Sequence, residues 1–218
     1  MTWAVFINRG LPVSLRKKFD EVFKKNLFQG ETSRSGNGSS HQQTHEISKA
    51  LPSLIIDLGI ESILDIPCGD LEWMSAVNLS GVKYIGGDVA PSLIGYLQSK
   101  YESKEFRVLD ITEDTLPRVD LVFCRDLFVH LSNREINRAI KNIKSSGSKY
   151  LATTSFINRS ENTDLPFFTR GIAWRTINLE ISPFQFPEPL LAIDEKCSES
   201  DGSYEDKNLM IWEIKKLP

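Results

Sequence analysis

Four aspartates recur at chemically suggestive places: Asp65 in "ILDIPCGD", Asp88 in "YIGGDV", Asp110 in "VLDITED" and Asp126 in "CRDLFVHLS". Each closes a short apolar run of the kind that forms a buried strand. In an open α/β sheet, ligands bind beyond the carboxyl ends of the strands. Acids at four successive strand ends therefore predict a ligand site along that rim, whereas any one of them alone reads equally well as a turn former. Asp65 and Asp88 stand 23 residues apart (88 − 65 = 23), near the interval at which an acid grips ribose hydroxyls in a nucleotide-binding fold.

The turn after the first strand narrows the ligand. A pyrophosphate needs G-x-G-x-x-G so that the backbone can approach it. "DIPCGD" keeps only Gly69, and Asp70 sets a negative charge where the pyrophosphate would sit. A phosphate-free nucleoside carrying positive charge suits this turn better. S-adenosylmethionine (SAM) has a sulfonium, an ammonium, a ribose and an adenine, and no phosphate. An NAD-dependent oxidoreductase is the rival reading, and it lacks its glycines here.

Methyl transfer from a sulfonium is an in-line displacement that needs a nucleophile about 3 Å from the methyl carbon. A hydroxyl acceptor ionises too weakly at neutral pH to serve unaided, so a positioned base must take its proton. His130 follows Asp126 by four residues, and one helical turn would bring both to one face at the mouth of the fourth strand. Imidazole, with an intrinsic pKa of about 6.5, suits that task. His45 is the reserve candidate, and Asp126 is a third. A satisfied, partly buried histidine is the alternative for His130. No grouping has metal-ligand spacing, so no metal is assigned; Cys68 and Cys124 read as small core residues.

The elements that must position these groups follow from periodicity. Residues 14–28 place Leu15, Phe19, Val22, Phe23 and Leu27 at helical spacing, opposite a solvated charged face. "GETSRSGNGSS" reads as a loop, and residues 41–59 as a second helix carrying Pro52. From residue 62, "SILDI", "KYIGGDV", "FRVLDI", "DLVFCRD" and "KYLATTSF" alternate with helical stretches at 70–78, 91–103 and 132–145. That alternation predicts βαβ units and a parallel sheet. "LLAIDEKC" and "NLMIWEI" are joined by a polar turn too short for a helix, so they pair as an antiparallel hairpin. The fold class is thus α/β and Rossmann-like: seven strands, mostly parallel with one antiparallel, and helices on both faces.

With 218 residues, 40% hydrophobic and 25% charged, the chain suits one domain with an ordinary core. A net charge of −3 argues against a general nucleic-acid binder. Three scattered cysteines without a CxxC pair favour a reducing compartment. No apolar run is long enough to span a bilayer, and "MTWAVFINRG" lacks the features of a signal peptide. A cytoplasmic location is expected, with no membrane insertion.

The combination of motifs resembles the class I SAM-dependent methyltransferases. Within them it is similar to a subgroup marked by "SRSGNGS…QT", "LDIPCGD.EWM", "CRDLFVHLS" and a late "PF.FPEPL", spread over roughly residues 28–214. Some members of that subgroup accompany glycosyltransferases, including multidomain glycan-building proteins of large algal viruses. The resemblance thus implies an O-methyltransferase acting on a sugar hydroxyl in a glycan, a deoxyhexose such as rhamnose being one candidate. A methyltransferase of a small metabolite or protein, and a non-catalytic SAM-binding module, are the alternatives, because a shared fold does not fix a substrate.

By the same resemblance, Asp65 and Gly69 form the turn under the methionine part of SAM; Pro67 is a further expected cofactor contact, and Trp73 belongs to the cofactor wall or the core. Asp88 holds the ribose, Val89 packs on the adenine, and Asp110 and Ile111 meet the adenine amino group and ring. Cys124 and Arg125 lie at the methionine end, and Asp126 at the acceptor mouth. Pro67 and Cys68 depart from the usual first motif. The Gly/Ser tract, otherwise a flexible surface loop, becomes a lid over the cofactor, with Ser35, Gly36, Gly38, Ser39, Gln43 and Thr44 as its contacts. The long connection after the fifth strand carries Phe167, Phe168, Trp174, Phe184 and Phe186 with Arg159, Arg170 and Arg175; Asp126, Trp174, Arg175 and Phe184 are the expected acceptor contacts. The domain plan is one methyltransferase domain: N-terminal helices and lid (1–60), SAM-binding core (61–156), acceptor-site insertion (157–190) and terminal hairpin (191–218).

Overall fold

A computed structural model describes residues 14–165 and 173–218. Seven strands form one sheet: β1 (Ser62–Asp65), β2 (Lys83–Asp88), β3 (Glu105–Val108), β4 (Leu121–Cys124), β5 (Tyr150–Phe156), β6 (Leu191–Asp194) and β7 (Lys207–Glu213). Their order is β3-β2-β1-β4-β5-β7-β6, with β1 to β5 parallel and β7 antiparallel to both of its neighbours. The order reverses between β1 and β4, which makes the carboxyl ends of those strands the natural crevice. The expected hairpin is present, Leu191 facing Ile211 and Asp194 facing Asn208.

Among the described residues four α-helices accompany the sheet: α1 (Leu15–Lys25), α2 (His45–Asp57), α3 (Pro91–Lys100) and α4 (Asn133–Ser145). Successive strand residues point to opposite faces and divide between two cores. Leu64 and Val122 join Ile136, Ile140 and Ile143 of α4, together with Phe184, Phe186 and Trp212. Ile63, Leu121 and Phe123 join Ile47 and Leu51 of α2 and Leu93, Ile94 and Leu97 of α3. α4 begins on a reciprocal cap: the Ser132 hydroxyl accepts from the Glu135 amide while the Glu135 carboxylate accepts from the Ser132 amide. No helix among the described residues is long and apolar enough to cross a membrane.

Two expected helices are shorter than their patterns. The 70–78 stretch contains only a 3₁₀ turn at Met74–Ala76. Gly69 and Leu71 are both left-handed (φ 54° and 60°), which stops an α-helix from starting there. The Asp126–His130 step is also not a turn of α-helix: Asp126 is left-handed (φ 56°), and a 3₁₀ turn spans Phe128–His130.

Candidate active site

The chain leaves β1 through Ile66 and Pro67 into a turn whose apex is Gly69. That position is left-handed, and a Cβ there would come within 2.4 Å of the Ser35 hydroxyl. Glycine is therefore required twice over, by backbone conformation and by the approach of the Ser/Gly loop. Asp70 then fastens that loop: its carboxylate accepts from the Ser33 hydroxyl at 2.8 Å and from the Arg34 amide at 2.6 Å. The charge that argued against a pyrophosphate is thus spent on closing residues 33–35 over the strand ends.

Beneath this closure lies a cleft of about 920 Å³, its open mouth included. Asp65, Pro67, Gly69, Trp73, Asp88, Val89, Arg125, Asp126, His130, Ser35 and Ser39 line it, so most of the expected site residues converge on one place.

Among the described residues, the two acids on the β1–β2 side have no close cationic partner. Asp65 accepts from the Tyr84 hydroxyl at 2.6 Å, and Asp88 from the Ala90 amide at 2.9 Å. Burial pushes the Asp65 carboxyl up to about 7, with the Tyr84 bond pulling it partly back. Burial likewise raises Asp88 to about 6, against the amides of Ala90, Gly69 and Val89.

On the β4 side the electrostatics invert. Lys207 Nζ donates to Asp126 Oδ2 at 2.7 Å, and Arg125 Nη1 lies 3.1 Å from the same oxygen. Arg125 Nη2 also donates to Glu195 at 2.7 Å, and Lys207 Nζ lies 3.3 Å from that carboxylate. Two cations facing two carboxylates make the buried cluster neutral, the condition under which such charges are tolerated. Burial alone would raise Asp126, but Arg125 and Lys207 overcome it and hold the carboxyl well below its ordinary range. Thr154 fixes its geometry, accepting from the Asp126 amide at 2.9 Å and donating to Oδ1 at 3.0 Å. Arg125 reaches the lid as well, donating to the Gly38 carbonyl at 3.0 Å.

His130 closes the cleft beyond Asp126. Its Nδ1 lies 2.8 Å from the Ala173 carbonyl, and its ring packs against Phe19 and Phe28 at centroid distances of 6.1 and 5.2 Å. Burial lowers its pKa and favours the neutral imidazole. The group that holds Nδ1 is the backbone carbonyl of Ala173, not Asp126.

A family model described as a methyltransferase domain matches residues 63–146. Among solved structures, the chain is similar to the N-methyltransferase NodS from Bradyrhizobium japonicum WM9 in complex with S-adenosyl-l-homocysteine: 14% identity, 88% of this chain, 98% of that one, TM-score 0.61. It is similar also to a Burkholderia thailandensis 1,6-didemethyltoxoflavin-N1-methyltransferase with its acceptor and S-adenosylhomocysteine bound (14% identity, 94% and 92% covered, TM-score 0.57). Human N-acetylserotonin methyltransferase in complex with SAM matches at 13% identity over 91% of this chain and 59% of that one, TM-score 0.54. No curated protein matches significantly. Residues 63–146 thus carry a methyltransferase domain.

The cleft of this methyltransferase domain fits S-adenosylmethionine on its own chemistry. Two buried acids without a cationic partner among the described residues suit a ligand bearing hydroxyls and positive charge, and Val89, Ala90 and Leu93 give an apolar wall for a base.

Other expected contacts lie outside the cleft. Asp110 caps its own turn, Oδ1 accepting from the Thr112 amide and hydroxyl, while Ile111 and Cys124 belong to the core. Gly36 does not line the cleft, and Gln43 bonds to Ser198 instead. Thr44 is buried with its hydroxyl on the Ser40 carbonyl. Phe184 is core, Arg175 is buried among backbone carbonyls, and Trp174 packs against Tyr204 with the rings tilted at 58° and their centroids 4.8 Å apart. His45, the reserve base, sits exposed beside Glu46. Phe167, Phe168 and Arg170 fall outside the described residues. Conversely, Phe19, Val22 and Phe23 of α1, with Phe28, line the cleft. Their helical spacing was visible, but periodicity says only that a face is covered, not what it covers.

Proposed function

We propose that the protein is an O-methyltransferase whose acceptor is a hydroxyl of a sugar within a glycan, and that His130 is its general base. The observation that carries the catalytic part is the Nδ1–carbonyl contact at the wall of the cleft. A carbonyl only accepts, so Nδ1 carries the hydrogen and the lone pair of the neutral ring is on Nε2. Asp126 is a poor base, since two cations keep it ionised; in this reading it orients the acceptor as a fixed hydrogen-bond acceptor.

On the cofactor side, Asp88 takes the ribose hydroxyls, Asp65 faces the ammonium end, Val89 packs on the adenine, and Ser35 and Ser39 cover the ligand. The cofactor supplies an electrophilic methyl carbon on a sulfonium. The chain's own work is to align the acceptor oxygen with it, exclude water through the 33–39 closure, and remove the hydroxyl proton to His130 Nε2.

The sugar reading is supported by the motif resemblance and by the polar rim of Arg125, Asp126 and His130. A small planar metabolite is the second reading, favoured by the Phe19, Phe28 and Leu127 surfaces near His130. A cytoplasmic setting beside glycosyltransferases accompanies the first. Incubation with methyl-labelled SAM and two acceptor panels, free and glycan-linked sugars against small aromatic hydroxyl compounds, separates them by mass gain. Label on the aromatic panel alone rejects the sugar.

A further inference from the structure

The segment after β5, anticipated as an acceptor surface, has a different relation to the cleft. Arg175 is buried, and its guanidinium joins two pieces of chain. Nη1 donates to the Thr163 carbonyl at 2.5 Å, and Nη2 donates to the Leu131 carbonyl at 3.1 Å and to Asn133 Oδ1 at 2.7 Å. The Arg175 amide donates to the Val129 carbonyl at 3.0 Å. Three of these bonds, to Val129, Leu131 and Asn133, tie Arg175 to the 129–133 turn that carries His130, while the fourth joins it to Thr163. Two residues before Arg175, the Ala173 carbonyl takes the His130 Nδ1 hydrogen.

We propose that Arg175 is a positioning residue that sets the tautomer of His130, by holding the Ala173 carbonyl against Nδ1 so that the basic lone pair stays on Nε2. The inference deepens the assignment of His130 as base and rests on it for its catalytic meaning, but its structural content can be read without any turnover. Asn133, which shares the guanidinium and opens α4, belongs to the same clip. The charged groups acting on His130 are Asp126, Lys18 from α1 and Lys207 from β7, and none of them bonds to Nδ1.

The test is nitrogen-15 NMR of the full chain with labelled histidine, in which the two ring nitrogens report the tautomer directly. The chain has three histidines, and His130→Gln assigns the third by the loss of its signals. Wild-type protein at pH 8 is expected to show His130 with its hydrogen on Nδ1. Arg175→Met should move the tautomer ratio toward Nε2–H by about fivefold, the weight of one ordinary hydrogen bond. Asn133→Ala, a milder change, should shift it the same way by less, and serves if the Arg175 variant does not fold. An Nε2–H tautomer in the wild type, or an unchanged ratio in a folded Arg175→Met protein, overturns the proposal. Turnover retained by His130→Gln with the tautomer shift intact would instead remove the base assignment and leave the clip standing.

Discussion

The two ends of the cleft use the same side chain to opposite effect. On the β1–β2 side, Asp65 and Asp88 are buried without a cationic partner among the described residues, and burial lifts them to about 7 and about 6. On the β4 side, Asp126 is pinned between Arg125 and Lys207 and held well below its ordinary range. The first pair is poised to respond to a ligand, because an arriving positive charge lowers their pKa and strengthens binding. The second is already neutralised by the protein, so in the proposed mechanism it offers rigidity and leaves proton transfer to His130. One half of the site is built to sense charge, and the other to be indifferent to it.

The most severe way to break this contrast is at His130. His130→Ala should lower turnover by about 10²–10⁴-fold and leave S-adenosylhomocysteine affinity intact. Steady-state kinetics beside calorimetry checks it, and an unchanged rate returns the role to Asp126 or His45. Removing half of the cationic lock comes next. Lys207→Met leaves Asp126 and Glu195 facing Arg125 alone, and should destabilise the fold by about 3–5 kcal/mol in denaturant titration. Asp88→Ala touches the other end: it should weaken S-adenosylhomocysteine by about 10–100-fold with little loss of stability.

The change at Asp65 has the most telling sign. A carboxyl whose pKa is raised by folding stabilises the native state below its unfolded value near 4, and that stability is lost as pH rises through about 7. Asp65→Asn, which keeps an acceptor for the Tyr84 hydroxyl, should therefore stabilise the ligand-free protein at pH 8 by at most about 4 kcal/mol. The gain should vanish near pH 4. Thermal melts at both pH values check it, and equal gains at both would deny the burial effect.

Much of this architecture is legible in residue order. The strand runs and the polar turn before "NLMIWEI" specify all seven strands and the reversed one, since apolar periodicity and connection length are local properties. The strand-end rule likewise places Asp65, Asp88 and Asp126 on the rim. Asp110 obeys the same pattern yet folds back on Thr112, because an aspartate at a strand end can as readily cap a turn as face a ligand. What the sequence could not reveal is which partner a covered face meets. The apolar stripe of α1 lines the cleft, the aromatics Phe184 and Phe186 pack into the core with Trp212, and Arg175 serves backbone carbonyls. Aromatic and cationic side chains have too many uses for their type alone to assign one.

The sharpest single measurement is calorimetric titration of S-adenosylhomocysteine into the wild-type protein at pH 8.0 and pH 5.5, each in buffers of differing ionisation heat. Saturable binding at pH 8.0, weakened by about tenfold or more at pH 5.5 with protons released on binding, is the expected result. Absence of binding, or an affinity that does not change between the two pH values, would contradict a cleft that holds its cofactor through unpaired buried carboxylates.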